Sequence, residues 1–188
     1  MIAALYVDPR GPYPLLPGVE CWDSRRDARL YPGPWPVIAH PPCGPWGRYH
    51  QRCHQDASLA PAAVAAVRRW GGVLEHPIDS NLWPACRLPM PGWLPDPWGG
   101  WSIKIDQCHW GHPARKRSWL YVVGIGQEEL PPIPPWQEPT RMLEDMAKSA
   151  RHLTPPLFAA WLVRLVARHT GSTHSPCGLL PPVEGVLL

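Results

Sequence analysis

The sequence predicts an α/β domain: a Rossmann-like sheet, mixed or mostly parallel, with helices on both faces and many Pro-rich loops. Three observations point there. Short apolar runs alternate with helix-like segments, Gly- and Pro-rich turns close most of those runs, and 188 residues suffice for one sizeable core rather than two.

The elements follow in chain order. Ile2 to Val7 is an apolar run stopped by Asp8-Pro9-Arg10-Gly11-Pro12, the pattern of a buried strand and a turn. Gly18 to Asp23 is a second short strand with an acid at its carboxyl end, and Val37 to Ala39 a third, leading into the His40-Pro41-Pro42-Cys43 loop. A helix comes next: Ser58 caps it, Pro61 suits its first turn, Ala62 to Trp70 are mostly helix formers, and Gly71-Gly72 stops it. Val73-Leu74-Glu75 is a fourth strand that ends in a carboxylate before His76-Pro77. Trp83 to Gly100 has loop composition, Ser102 to Asp106 alternates as a strand does, and Trp119 to Val123 is a strongly apolar strand. Leu130 to Pro139 has the composition of a linker or polyproline arm. The last helix takes Thr154 as its cap and starts at Pro155, with Phe158, Trp161, Leu162, Leu165 and Val166 forming an apolar stripe. Residues 1–170 are expected to make the single domain and residues 171–188 a loose C-terminal tail.

Twelve Trp residues argue against disorder despite 28 Pro, because disordered chains are poor in large apolar side chains. A net charge of +3 and a pI of about 8.6 permit a polyanionic partner without requiring one. Six cysteines, no signal peptide before the first strand and no stretch long enough to span a bilayer lead to the expectation of free thiols in the reducing cytoplasm, away from membranes.

Ligands of open α/β sheets sit beyond the carboxyl ends of strands, and Asp23, Cys43 and Glu75 all fall at such ends. Cys43 lies between the stiff Pro41-Pro42 pair and Gly44. It is either a nucleophile for an electron-poor ring carbon or, as most free cysteines are, a packed structural thiol. Glu75, if held in a partly desolvated cleft, would have a raised pKa and hydrogen-bond or protonate a ring nitrogen; a solvated carboxylate is the plainer alternative. Arg115 and Arg117 stand two apart at the start of a strand, so alternation points both one way, toward a phosphate or base edge, or else they form an ordinary edge-strand charge pair. Arg48, Lys116 and His112 are the remaining nucleic-acid-binding candidates.

Pro41-Pro42-Cys43 resembles the Pro-Cys loop that carries the nucleophile of DNA cytosine-5-methyltransferases. Glu75-His76-Pro77 resembles that family's Glu-Asn-Val motif. Gly111 to Arg117, followed by an apolar strand and Gly124, is similar to its Gln-x-Arg-x-Arg segment, and Arg151-His152-Leu153-Thr154-Pro155 to a late Arg-x-Leu-Thr-Pro motif. The four occur in the family's order and span Ile2 to Arg168. The resemblance implies a transferase that modifies a pyrimidine in DNA. Cys43 would add to C6, Glu75 would hold N3 and the exocyclic group, and Arg115 and Arg117 would support the loop, base or phosphate, all on a base flipped out of the stack. It also implies S-adenosylmethionine, with Asp8, Gly11, Asp23 and Pro42 as the cofactor-binding candidates.

The chain departs from that pattern in four places. The first turn lacks Gly-x-Gly, His76 replaces the asparagine, no glutamine precedes Arg115 at the family spacing, and only the Trp83–Gly100 loop stands where a target-recognition region would be. A protein partner supplying target recognition follows from the last departure. Short relatives of this type resemble phage-encoded proteins, which would act in the host cytoplasm.

Two rivals remain at the level of sequence. Cys43, His50, Cys53 and His54, or Cys108, His109 and His112, would make a zinc site, although neither set has C-x-x-C spacing, and no metal ligand is assigned. Alternatively the scaffold is a catalytically altered module that binds nucleic acid or protein through its Trp-rich loops.

Overall fold

The computed structural model describes residues 1–169, apart from the side chain of Lys148. The expected tail, residues 171–188, lies outside the described residues. Six strands form one mixed sheet: β1 Ile2–Leu5, β2 Val19–Trp22, β3 Val37–Ala39, β4 Gly72–Pro77, β5 Trp101–Asp106 and β6 Arg117–Val123. Their order across the sheet is β2-β1-β3-β4-β6-β5. β1 runs parallel to β2 and β3, and β3 parallel to β4, while β6 is antiparallel to both β4 and β5. β2 therefore lies on one side of β1 and β3 on the other. A crevice opens beyond the carboxyl ends of such a divergent pair, because the connections leave in opposite directions.

Side chains alternate across the strands and split the core in two. Ile2, Ala4, Ile38, Val73, Leu120 and Val122 pack beneath the helix Pro156–Val166, and Ala3, Leu5, Val37, Ala39, Leu74 and Tyr121 beneath the helix Leu59–Trp70. Helix α1, Leu59–Trp70, contributes Ala60, Ala63, Val64 and Val67. It stops at Gly71, whose φ of 73° suits glycine. Two short helices, α2 Leu82–Ala85 and α3 Lys148–His152, precede α4, Pro156–Val166. The α4 stripe buries Phe158 and Trp161 against Trp110, with Trp110–Phe158 centroids 4.9 Å apart.

Several boundaries differ from the sequence reading. Glu75 is inside β4, not at its end, because pairing with β6 continues to Pro77 opposite Ser118. The Trp83–Gly100 stretch is not loop throughout, since α2 overlaps its start. Ser58 does precede α1, but its side chain makes no capping bond. Pro155, not Thr154, occupies the position before α4. The Leu130–Pro139 arm is no free linker. The Trp161 indole N–H donates to the Pro132 carbonyl at 3.0 Å, and His109 Nδ1 bonds the Pro134 carbonyl at 2.7 Å, so its extended backbone is tied to the domain. Among the described residues no helix is long and apolar enough to cross a membrane.

Candidate active site

A cleft of about 460 Å³ opens where the topology requires it, beyond the carboxyl ends of β1 and β3. The turn after β1 supplies Asp8, Gly11 and Tyr13, and the loop after β3 supplies His40, Pro42 and Cys43. β4 supplies Glu75, Lys116 and the first residues of β6, Arg117 and Ser118, add a further side, and the α3 segment closes the far wall with Arg151 to Thr154.

Glu75 lies at its centre. In the parallel register Ala39 stands beside Leu74, so the next residues, His40 and Glu75, become neighbours on the α4 face. His40 Nδ1 lies 3.0 Å from Glu75 Oε2, and the two side chains are only 11% and 10% exposed. The other carboxylate oxygen accepts from the Ser118 hydroxyl and, at 3.1 Å, from the Gln107 amide. On the far side of the imidazole the Tyr13 hydroxyl meets His40 Nε2 at 2.6 Å. Nδ1–H donates to the carboxylate and the Tyr13 hydroxyl bonds Nε2, roles assigned from the partners. Burial by itself raises the Glu75 pKa. The His40 hydrogen bond, the charges of Lys116 and His40 and the Ser118 hydroxyl outweigh it, and the pKa falls from 4.5 to about 2. Contrary to the sequence expectation, Glu75 is therefore a carboxylate and not a proton donor.

Cys43 is half-buried on the same cleft wall. Burial first, and then the negative charge of Glu75, push its thiol above the ordinary 9.0, while Lys116 pulls the other way. At rest it is a thiol. A Cβ on Gly44 would come within 2.6 Å of the Cys53 sulfur, so a larger residue beside Cys43 would push the Cys53 side chain aside. His76, on the opposite face of β4, is fully buried, and among the described residues only the Pro42 carbonyl comes near its ring nitrogens, outside good hydrogen-bond geometry. Burial lowers its pKa to about 4, offset in part by Glu75 and the Pro42 carbonyl.

The basic candidates separate. Lys116 lines the cleft and donates to the Leu153 carbonyl at 3.2 Å. Arg115 is turned away, with its Nε 2.9 Å from Asp106. Arg115 and Arg117 do face a common groove, as alternation predicts, but it is the neighbouring one and not the Cys43 cleft. Arg117 lines both this cleft and a second one. His112 is 4% exposed and bonds the Ala114 carbonyl at 2.7 Å, so it holds a turn rather than meeting nucleic acid. Arg48 is exposed and does not line the cleft.

Of the residues expected to hold S-adenosylmethionine, Asp8, Gly11 and Pro42 line the cleft and Asp23 does not. Asp23 accepts the Arg25 N–H at 2.8 Å, and Asp8 binds the Arg10 N–H and guanidinium, so each carboxylate is engaged in its own turn. Pro9 and Pro12 remove two backbone donors from the loop. This set does not fit the cofactor. Among the described residues no group of three or more His, Cys, Asp or Glu side chains is arranged to hold a metal ion.

Sequence reasoning missed His40, Tyr13, Ser118 and Gln107. Only His40 carried a signal, its place at a strand end beside Pro-Pro-Cys. No protein-family model, curated protein or solved structure matches this chain.

Proposed function

We propose that the cleft takes a flipped-out pyrimidine of DNA and that Cys43 activates it by addition, a DNA cytosine-5-methyltransferase-like chemistry on a Rossmann-like scaffold. The observation that carries this reading is that Cys43 and a carboxylate locked by His40, Ser118 and Gln107 line one cleft at the sheet's divergent strand ends. A permanently charged acceptor at Glu75 suits an exocyclic amine and a protonated or N–H ring position, which it would hold while sulfur attacks C6. The C6–S bond forms as the C5=C6 π electrons move to C5, and C5 then takes an electrophile. Loss of the C5 proton and cleavage of C6–S restore the ring and the thiol. With a solvent proton as the electrophile, the same cycle exchanges hydrogen at C5. The residues present do not fit S-adenosylmethionine, so the reading rests on addition alone. Five free cysteines among the described residues support a reducing compartment, the cytoplasm.

The test is deuterium incorporation at C5 of cytosine or uracil in single-stranded DNA incubated in heavy water, alongside mass spectrometry of nucleosides from cells expressing the protein. Wild type exchanges and Cys43→Ala does not. The rate climbs with pH beyond 9, because the raised thiol pKa keeps the thiolate scarce until then. Absence of exchange and of any modified pyrimidine overturns the reading. The raised thiol favours a second one, a catalytically altered module that binds nucleic acid or protein; then Cys43→Ala leaves affinity unchanged.

A further inference from the structure

A second groove of about 410 Å³ lies across the sheet edge from the Cys43 cleft, and the two share Arg117 and Ser118 as a common wall. Its size falls within the roughly 300–1,000 Å³ of small-ligand sites. Its floor is the β5–β6 ribbon, with Lys104, Asp106 and Arg117, and its rim is the proline arm, with Ile133 and Trp136.

Two features need explaining. The first is charge. Asp106 is paired with Arg115 at 2.9 Å, whereas Lys104 and Arg117 are exposed and form no ion pair among the described residues. The groove thus carries an excess of cations, Lys104, Arg115 and Arg117 against Asp106, with the Glu138 carboxylate at its rim holding the Trp136 indole N–H at 2.9 Å. The second is an aromatic side chain held in place yet left exposed. The arm is pinned at Pro132 and Pro134, and beyond it the Thr140 and Arg141 N–H groups both donate to the Pro113 carbonyl, at 2.9 and 3.0 Å. Between these anchors Trp136 stays 44% exposed, with the His109 ring edge-on at 5.3 Å and Arg115 near its face at 5.6 Å. Burial does not account for a rigid arm that offers an indole to solvent. A stacking platform beside free cations does, because a single-stranded nucleic acid offers both unstacked bases and phosphates.

We propose that this groove binds the single-stranded segment adjoining the base held in the Cys43 cleft, with one nucleobase on Trp136 and phosphates on Lys104 and Arg117. The inference rests on the reading that the neighbouring cleft takes a nucleobase. Arg117, lining both pockets, is the point at which the strand passes from one to the other.

The experiment is fluorescence anisotropy of a short, labelled, single-stranded oligodeoxynucleotide titrated with the full chain at several salt concentrations. Trp136→Ala weakens binding roughly tenfold or more, as expected for loss of one stacked base, and Trp136→Phe recovers most of it. Lys104→Ala lowers the slope of log affinity against log salt by about 0.7, one phosphate contact on a single strand. Thermal melting of each variant at the wild-type temperature shows that the fold is intact. Equal affinity of wild type and Trp136→Ala overturns the proposal, as does tighter, Trp136-dependent binding of an acidic peptide, which makes the groove a protein-docking site. Deuterium exchange by wild type without a Trp136 effect defeats this inference alone. A Trp136 effect without exchange in wild type defeats the Cys43 chemistry alone.

Discussion

Glu75 shows how a buried charge becomes tolerable. Taking a carboxylate out of water is costly unless donors replace the lost hydration, and here His40, Ser118 and Gln107 all do so. Glu75→Gln keeps the shape but removes the charge, and its amide group turns a donor toward at least one existing donor. The expected loss is about 1.5–3 kcal/mol of stability, the range for hydrogen bonds to a charged group, read by urea unfolding. Unchanged stability would show that the network carries no weight. Cys43 and Glu75 were legible as candidates because prolines and apolar runs mark their surroundings. The partners that define the chemistry were not. Tyr13 lies 27 residues from His40, His40 lies 35 from Glu75, and Ser118 lies 43 from Glu75, so only strand pairing brings them together.

At the level of elements, the β3–β4 pair is the part on which the site depends, since its register sets His40 beside Glu75. Gly72 opens β4 with φ of 112°, and a Cβ there would sit 2.0 Å from the Val37 carbonyl oxygen. Backbone cannot yield as a flexible side chain can. Gly72→Ala is therefore expected to cost more than about 3 kcal/mol, through strain at a left-handed position and a disrupted ladder. A denaturation midpoint close to wild type would contradict this. Most strands were legible as short apolar or alternating runs, α1 as a stretch of helix formers between Pro61 and Gly71-Gly72, and α4 by its apolar stripe at helical spacing. Three features were not. β4 outruns its apolar stretch because β6 pairs with it through His76 and Pro77. Helix α3 is too short to show a period. The proline arm has linker composition but is tied down by a Trp161 and a His109 that come from elsewhere in the chain.

For the molecule as a whole, buried titratable groups shape the acid response, and His76 and Glu75 act in the same direction. His76, held near a pKa of 4 where an exposed histidine has 6.5, resists a proton that the unfolded chain accepts. Its contribution is complete above pH 6.5 and is lost as the pH falls through 4. Glu75, at about 2 against 4.5, contributes stability that is present above pH 4.5 and fades as the pH falls toward 2. Unfolding free energy measured in urea should therefore decline in two overlapping stages below neutrality, and His76→Leu should shrink the upper one, which His112 shares because burial lowers its pKa too. A flat profile from pH 7 to 4 would contradict the buried, neutral state of His76.

The sequence by itself determined the α/β class, most of the strands, both longer helices, and the candidacy of Cys43 and Glu75, because these depend on patterns within a few residues of each other. Tertiary structure decided the rest. The sheet order places β2 and β3 on opposite sides of β1 and so opens a cleft. Long-range hydrogen bonds make Glu75 a fixed carboxylate rather than an acid. The packing around the approach to β6 puts Lys116 on the Cys43 cleft and Arg115 on the neighbouring groove. The physical reason is that local chemistry chooses an element, whereas the direction in which a side chain points, and the groups that share its burial, depend on segments joined only when the sheet forms.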